Sequence, residues 1–393
     1  MLIGVVGKTN VGKTTFFSAA TLVEAEISNR IFTTIEPNKG VTYVRTPCPC
    51  RSLKVVCNPQ NSKCVDGTRY IPVKLIDVAG LVPDAHKGRG LGNQFLSDIM
   101  EADALIHVVD ISGSTDSEGH VVEKGGRDPK EDIKFLEEEI DYWILGILKR
   151  NLQTLSKRVE TTKEKFSEVV HKQLAGLGIK LSEVEEAINE TGIAPHSSDL
   201  DLLDFIKILR EKSKPIIIAG NKIDVSGSGK IFERVRDVTG IDIIPCSAES
   251  ELALRKASEK GIIKYMPGDS DFEIIKEIDE KQKTALNFIL SHVLSIYGSA
   301  GVQKCIDRAV FEILDMIVVY PVENEHKFSD KKGNVIPHAH LMKKGSTALD
   351  LAYKVHEEIG RKFISAVDAR TGKHISASYE LKNGDVVSIK ASR

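Results

Sequence analysis

Several shortages bound what this chain can be. Six cysteines in 393 residues are too few for a secreted disulfide scaffold. A formal net charge of −2 gives no global pull toward nucleic acid or an anionic membrane, so any RNA-binding surface has to be a local patch. No apolar stretch in the sequence reads as a membrane span, and no membrane role is expected. No leader peptide is expected either, because the first strand-like run starts at Met1 and leads directly into a glycine loop. These deficits point to a cytosolic protein, expected to be a monomer. What is present is 41% hydrophobic and 28% charged residues, enough for substantial cores, and a length that suggests two or three domains.

The apolar run Leu2-Ile3-Gly4-Val5-Val6 is followed by Gly7-Lys8-Thr9-Asn10-Val11-Gly12-Lys13-Thr14, and Thr15 continues into a helical pattern. This is a complete G-x-x-x-x-G-K-[ST] loop between a strand and a helix. The two glycines let backbone N–H groups approach phosphate oxygens, and the next helix adds its dipole. Lys13 supplies charge to the terminal phosphates, and the Thr14 hydroxyl is placed to hold Mg²⁺. A tight glycine turn with no ligand is the plain alternative, and the strand-loop-helix context argues against it.

A second strand-like segment, Ile71 to Ile76, runs into Asp77-Val78-Ala79-Gly80. Asp-x-x-Gly after a phosphate loop is a metal and γ-phosphate sensor: Asp77 would hold Mg²⁺ and the Gly80 N–H would meet the γ-phosphate. Between the two motifs lies Phe32-Thr33-Thr34-Ile35-Glu36-Pro37-Asn38, where a Thr completes the Mg²⁺ shell when γ-phosphate is present. Thr33 and Thr34 both qualify, and Thr34 is preferred. Further on, the buried-strand pattern Pro215 to Gly220 ends in Asn221-Lys222-Ile223-Asp224. The Asp224 carboxylate matches the N1–H and amino group of guanine, a donor pair adenine lacks, and the Lys222 stem can lie along the base. After one more strand, Cys246-Ser247-Ala248 offers a loop whose backbone N–H groups would contact the guanine oxygen. The expected ligand is GTP rather than ATP.

With these motifs in order, the chain resembles the Obg superfamily of P-loop GTPases, and within it the YchF-like branch in an archaeal-type form. The carrying segments are GVVGKTNVGKTTFFSA, FTTIEPNKG, DVAGLVPDAHKGRGLGNQFL, NKID and the C-terminal GDVVSIKA. Many members of that branch have an altered guanine motif and accept adenine, whereas Asn221, Lys222 and Asp224 are intact here. The resemblance implies slow intrinsic hydrolysis of GTP by a switch protein associated with ribosomes or translation. Leu81 stands where other GTPases carry a water-orienting Gln, and leucine makes no hydrogen bond. The resemblance therefore implies a hydrophobic-substituted GTPase. In related K⁺-using enzymes an Asn at the position of Asn10 faces the phosphates, so K⁺ is a candidate cofactor here; a turn role for Asn10 is equally open. His86, in the glycine-rich stretch Pro83 to Gly92, reads as a solvated loop residue, with approach to the attacking water as the alternative.

The expected architecture is α/β: a G domain over 1–127 plus 210–315, a helical insertion over 128–209, and a C-terminal β-grasp unit over 316–393 that matches the TGS domain of these GTPases. Leu136, Ile140, Trp143, Ile144, Ile147, Leu148, Leu152, Leu155 and Val159 form a helical seam, and Leu181, Val184 and Ile188 begin a second arm. An antiparallel coiled-coil hairpin and a packed helical subdomain both fit, and the resemblance favours the hairpin. In the last unit, strands are expected at Met316 to Pro321, Val335-Ile336-Pro337, Phe363 to Val367 and Val386 to Ile389, with a Thr347-capped helix over Leu349 to Ile359. From Ile336 to Arg393 there are 10 Lys plus Arg against 6 Asp plus Glu, and Lys343, Lys344, Arg361, Lys362, Arg370 and Lys373 are the candidates for RNA backbone. Cys48, Cys50, Cys57 and Cys64 fall in one short excursion. They would make a Zn²⁺ site, but Cys-x-Cys with two wide gaps is not the usual paired knuckle, so free thiols on an extended hairpin are the favoured reading. Two further functions compete with the switch: an RNA- or protein-binding module merely stabilised by nucleotide, and an ATPase or kinase, which shows no acceptor-substrate site.

Overall fold

A computed structural model describes residues 1–22, 38–78, 80, 98–150 and 164–392. Thr33, Thr34, Leu81, His86 and the helical positions Leu152, Leu155 and Val159 lie outside the described residues. Two compact units divide the chain, one mainly Met1–Leu22 and Lys74–Cys305, the other mainly Val41–Val73 and Ile306–Arg393.

In the first unit, strands β1 (Leu2–Val6), β4 (Thr68–Asp77, which begins in the other unit), β5 (Ala104–Asp110), β6 (Ile216–Asn221) and β7 (Ile243–Pro245) run parallel in the order β4-β1-β5-β6-β7. All seven residues of β5 are buried, which is the reason the segment reads as a continuous run rather than an alternation. Parallel register brings the carboxyl ends together: Val5 pairs with Asp77 and Asp110 with Asn221. In open α/β sheets, ligands bind outside these ends.

The segment expected as a helical insertion begins with the helix Pro129–Lys149. Asp128 caps it by accepting from the Lys130 N–H, Pro129 occupies the first turn, and Glu131 and Asp132 meet the positive dipole end. Helices Phe166–Leu174, Leu181–Thr191 and Asp199–Ser213 follow. Leu136, Ile140, Ile144, Leu148, Val170, Leu174, Val184, Leu202, Phe205 and Leu209 share one buried cluster with Val6, Ile76 and Leu105 of the sheet. Among the described residues this is a packed helical subdomain sharing the sheet's core, not a coiled-coil hairpin. The buried stripe is wider than a two-position seam, and it includes Asp141, whose Oδ1 accepts from Arg210 Nε at 2.7 Å. One apolar stretch exceeds the sequence expectation: Glu280–Ile313, helical except at residues 298–301, is long and apolar enough to cross a membrane by length and composition. Its Leu286, Ile289, Val293, Leu294 and Ala300 pack with Leu254, Ile263 and Tyr265, as in a core helix of a globular unit.

The second unit holds a mixed five-stranded sheet in the order β11-β10-β14-β12-β13, formed by β10 (Met316–Val322), β11 (His340–Lys343), β12 (Phe363–Asp368), β13 (Lys373–Ile375) and β14 (Val386–Ala391). β10 and β14 are parallel, and the other pairs are antiparallel. Thr347 and Asp350 form a reciprocal capping box on the helix Ala348–Val355, whose Leu351 packs against Val319, Ala366 and Val387. Two expectations need correction. The strand placed at Val335-Ile336-Pro337 is instead β11, five residues further on, with Val335 making only an isolated bridge to Ser329. The helix breaks at His356, which is extended and caps a second short helix, Glu357–Arg361. The same unit contains the short helix α2 (Pro49–Leu53) and β3 (Lys63–Val65), which pairs with β4 through an Asp66-Gly67 turn with both residues at positive φ.

Candidate functional site

The phosphate loop leaves β1 through Gly7 and enters the helix α1 (Lys13–Thr21) through Gly12, both at positive φ. Neither position tolerates a side chain. A Cβ on Gly7 would stand 2.5 Å from the Val108 carbonyl, and one on Gly12 would stand 2.3 Å from Asn221 Nδ2. Asn10 takes a left-handed conformation, φ 63°, and its Nδ2 donates to the Gly119 carbonyl at 2.9 Å. Lys8 enters through its main chain alone. Its buried ammonium donates to the Thr115 carbonyl at 2.9 Å and pairs with Asp132 Oδ2 at 2.5 Å. Burial pulls the Lys8 pKa down, and Asp132 opposes that pull.

Lys13, Thr14 and Asp77 converge. Thr14 Oγ1 donates to Asp77 Oδ2 at 3.3 Å, and Lys13 Nζ stands 3.7 Å from Asp77 Oδ1. That Oδ1 is buried without a hydrogen bond, and burial raises the Asp77 pKa despite Lys13. A carboxylate oxygen left in this state beside a hydroxyl is the donor set a hard cation such as Mg²⁺ takes. Gly80 lies against the same loop, since a Cβ there would be 3.2 Å from Thr9 Oγ1.

Asn221 clamps the base loop to the phosphate loop. Its Nδ2 donates to the Val11 carbonyl at 2.8 Å, and its Oδ1 accepts from the Ala248 N–H at 2.9 Å. The backbone contacts expected for guanine are therefore used within the protein: Ala248 by Asn221, and the Ser247 N–H by the Ala300 carbonyl at 2.9 Å. The Ser247 hydroxyl caps the helix Ala248–Glu259. Asp224 lines a pocket of about 670 Å³ with Glu249, Ser250, Thr284 and Phe288. Lys222, also left-handed at φ 63°, reaches Asp110 Oδ2 at 2.9 Å.

Asp110 was given no role by its sequence context. It is buried at the end of β5 and accepts from Ser112, Ser114, Thr115 and Lys222. Burial would raise its pKa, but these donors hold it below the usual carboxylate range. The signal available in sequence was a lone acid ending an apolar strand level with the guanine motif. In the second unit the candidate RNA-contacting side chains are all exposed, but Lys344 pairs with Asp315, Arg361 with Glu357, and Arg370 donates to Ser52 and to the Gly384 carbonyl.

Residues 2–145 match a family model described as a 50S ribosome-binding GTPase, residues 219–324 the G4 motif-containing domain of YGR210-like Obg-like GTPases, and residues 327–391 the TGS domain. A GTP-binding protein of Methanocaldococcus jannaschii is 52% identical over 99% of this chain and 98% of its own. A ribosome-binding ATPase YchF of Haemophilus ducreyi is 33% identical over 65% of this chain and 68% of its own. The crystal structure of a GTP-binding protein from Pyrococcus horikoshii superposes with a TM-score of 0.80 at 41% identity, covering 100% of both chains. The chain therefore belongs to the YchF-like branch of the Obg-like GTPases, GTP-binding and GTP-hydrolysing proteins that pair a P-loop G domain with a TGS domain.

Proposed function

We propose that this protein is a GTP-driven switch in the cytoplasm that engages the ribosome, with GTP preferred over ATP. The observation that carries the nucleotide choice is the intact Asn221-Lys222-Ile223-Asp224 set, with Asn221 bonded to both neighbouring loops. Losing the match between Asp224 and the guanine donors leaves polar groups unpaired, so adenine is discriminated against. The relative named as an ATPase makes ATP use the second reading. Phosphates would be held by the backbone of Gly7 to Thr15 and by Lys13. Thr14, Asp77 and Thr34 are the residues to hold Mg²⁺, which when bound neutralises charge on the transferring phosphoryl group. The Gly80 N–H would sense the γ-phosphate, so that 25–40 and 80–97 respond to nucleotide state.

The ribosome reading is supported by the relative's ribosome-binding name, by the ribosome-binding GTPase model over 2–145, and by the excess of basic residues in the TGS unit. Exposed Lys343, Lys362 and Lys373 are the side chains proposed to meet RNA phosphate. Co-sedimentation with ribosomes across a salt titration tests it. Binding should be stronger with a non-hydrolysable GTP analogue than with GDP. Identical binding with GTP, GDP or no nucleotide would instead support a nucleotide-stabilised binding module, and no binding at low salt would remove the ribosome role.

Leu81 cannot orient water, so another charge must help the reaction. We assign that part to K⁺ near Asn10, whose Nδ2 is fixed by Gly119 and whose Oδ1 remains the acceptor end. Hydrolysis should run several-fold faster in K⁺ than in Na⁺, and Asn10→Ala should abolish the difference. Equal rates for the parent protein in both salts would refute this assignment.

A further inference from the structure

Four cysteines take no part in nucleotide chemistry. Cys48 and Cys50 flank Pro49 at the start of α2, Cys57 lies in the loop that follows, and Cys64 is in β3. Their Sγ atoms nevertheless all lie within 4.8 Å of one another. Cys48 to Cys57 is 3.9 Å and Cys50 to Cys64 is 3.8 Å. Zinc–thiolate bonds of about 2.3 Å give a tetrahedron whose sulfur–sulfur edges are about 3.8 Å, because an edge is about 1.63 times the centre-to-corner distance. Two disulfides would need pairs at about 2.05 Å and give no reason for the two pairs to converge. A single central ion explains all four together. We propose that Cys48, Cys50, Cys57 and Cys64 hold one Zn²⁺ in a closed, structural tetrathiolate site.

The surroundings suit that charge. Four thiols binding Zn²⁺ release four protons and leave a net charge of 2−, which needs a buried cation nearby. Arg69 is fully buried and pairs in register with Cys64 across the β3–β4 ladder. Its guanidinium donates to Ser62 Oγ and to the Ile336 carbonyl, while its Nε has no hydrogen-bond partner. Cys-x-Cys with six-residue gaps looks wrong for a knuckle, but the Cys48 N–H donates to the Gly67 carbonyl at 2.8 Å, which ties the first cysteine to the turn that follows the last.

The ion would do mechanical work. Residues 55–61 contain neither helix nor strand, yet they carry the bonds that dock this excursion within its unit. The Asn58 N–H donates to the Val335 carbonyl, Gln60 N–H to Pro337, and the Asn61 side chain bonds Ala339 in both directions. Zinc would tie Cys57 within that loop, and Cys64 just beyond it, to Cys48 and Cys50 just before it.

Elemental analysis of the full chain, purified under reducing conditions and supplied with zinc, decides the proposal. One zinc per chain is expected, released into a chelating dye by a thiol-specific mercurial. Co²⁺-loaded protein should show the visible bands of tetrahedral thiolate ligation, and C57S/C64S protein should lose the metal while still binding GTP. Less than one zinc per several chains, iron in its place, or a mass showing two disulfides in the reduced preparation would overturn it. If the double variant fails to fold, the metal ratio and the cobalt spectrum of the parent chain still decide.

Discussion

Lys8 shows how one residue in a binding loop can serve the fold. Its side chain leaves the phosphate region and meets Asp132, which also accepts from Arg127 Nε at 2.7 Å. Both members of the Lys8–Asp132 pair are 4% exposed. Removing one charge strands the other in a dry site, and such breaks cost about 3–5 kcal/mol. Asp132→Asn should therefore lower the unfolding free energy by about that amount in denaturant titrations, and Lys8→Met added to Asp132→Leu should recover much of it. A loss under about 1 kcal/mol would mean that water reaches the pair.

At the scale of the element, β5 carries a buried histidine in the middle of a strand that is apolar up to its terminal Asp110. Burial, with a smaller contribution from the Lys8 charge, holds the His107 imidazole down at about 3, and its Nδ1 has no hydrogen-bond partner. The unfolded chain binds that proton near pH 6.5, while the folded chain stays neutral. A depressed folded pKa means stability is full above 6.5 and drains as pH falls toward 3, at about 1.4 kcal/mol per pH unit. Between pH 6.5 and 5, above the carboxylate range, His107→Gln should flatten the pH dependence of stability by about one proton. Unchanged slopes would show that the imidazole titrates normally.

Across the whole molecule, the local motifs were legible and the pairings between distant segments were not. Gly7 to Thr14, Asp77 and Asn221 to Asp224 announce themselves because each needs only a strand and the turn after it. Asp110, Gly119 and Asp132 partner residues more than a hundred positions away, so no window of sequence contains the pair. The cysteine spacing hides a convergence for the same reason: the fold that brings the four sulfurs within 4.8 Å of one another is not written in the spacing. Val335 to Pro337 look strand-like because their apolar side chains are wanted, yet their carbonyls are spent on Asn58, Arg69 and Gln60. Assembly of the nucleotide site from β1, β4, β5 and β6 also makes the first unit the one that ligand stabilises. GDP with Mg²⁺ at a hundredfold its Kd should add about 2.7 kcal/mol to that unit, read as slower amide exchange in these strands. Exchange unchanged by saturating nucleotide would contradict the site.

The side chain of Asn221 bonds the phosphate loop with one end and the base loop with the other, and a methyl group on Gly12 would land on it. In genetic terms, positions 12 and 221 behave as one locus. A lesion at either would be scored as the same defect, base preference and phosphate grip failing together.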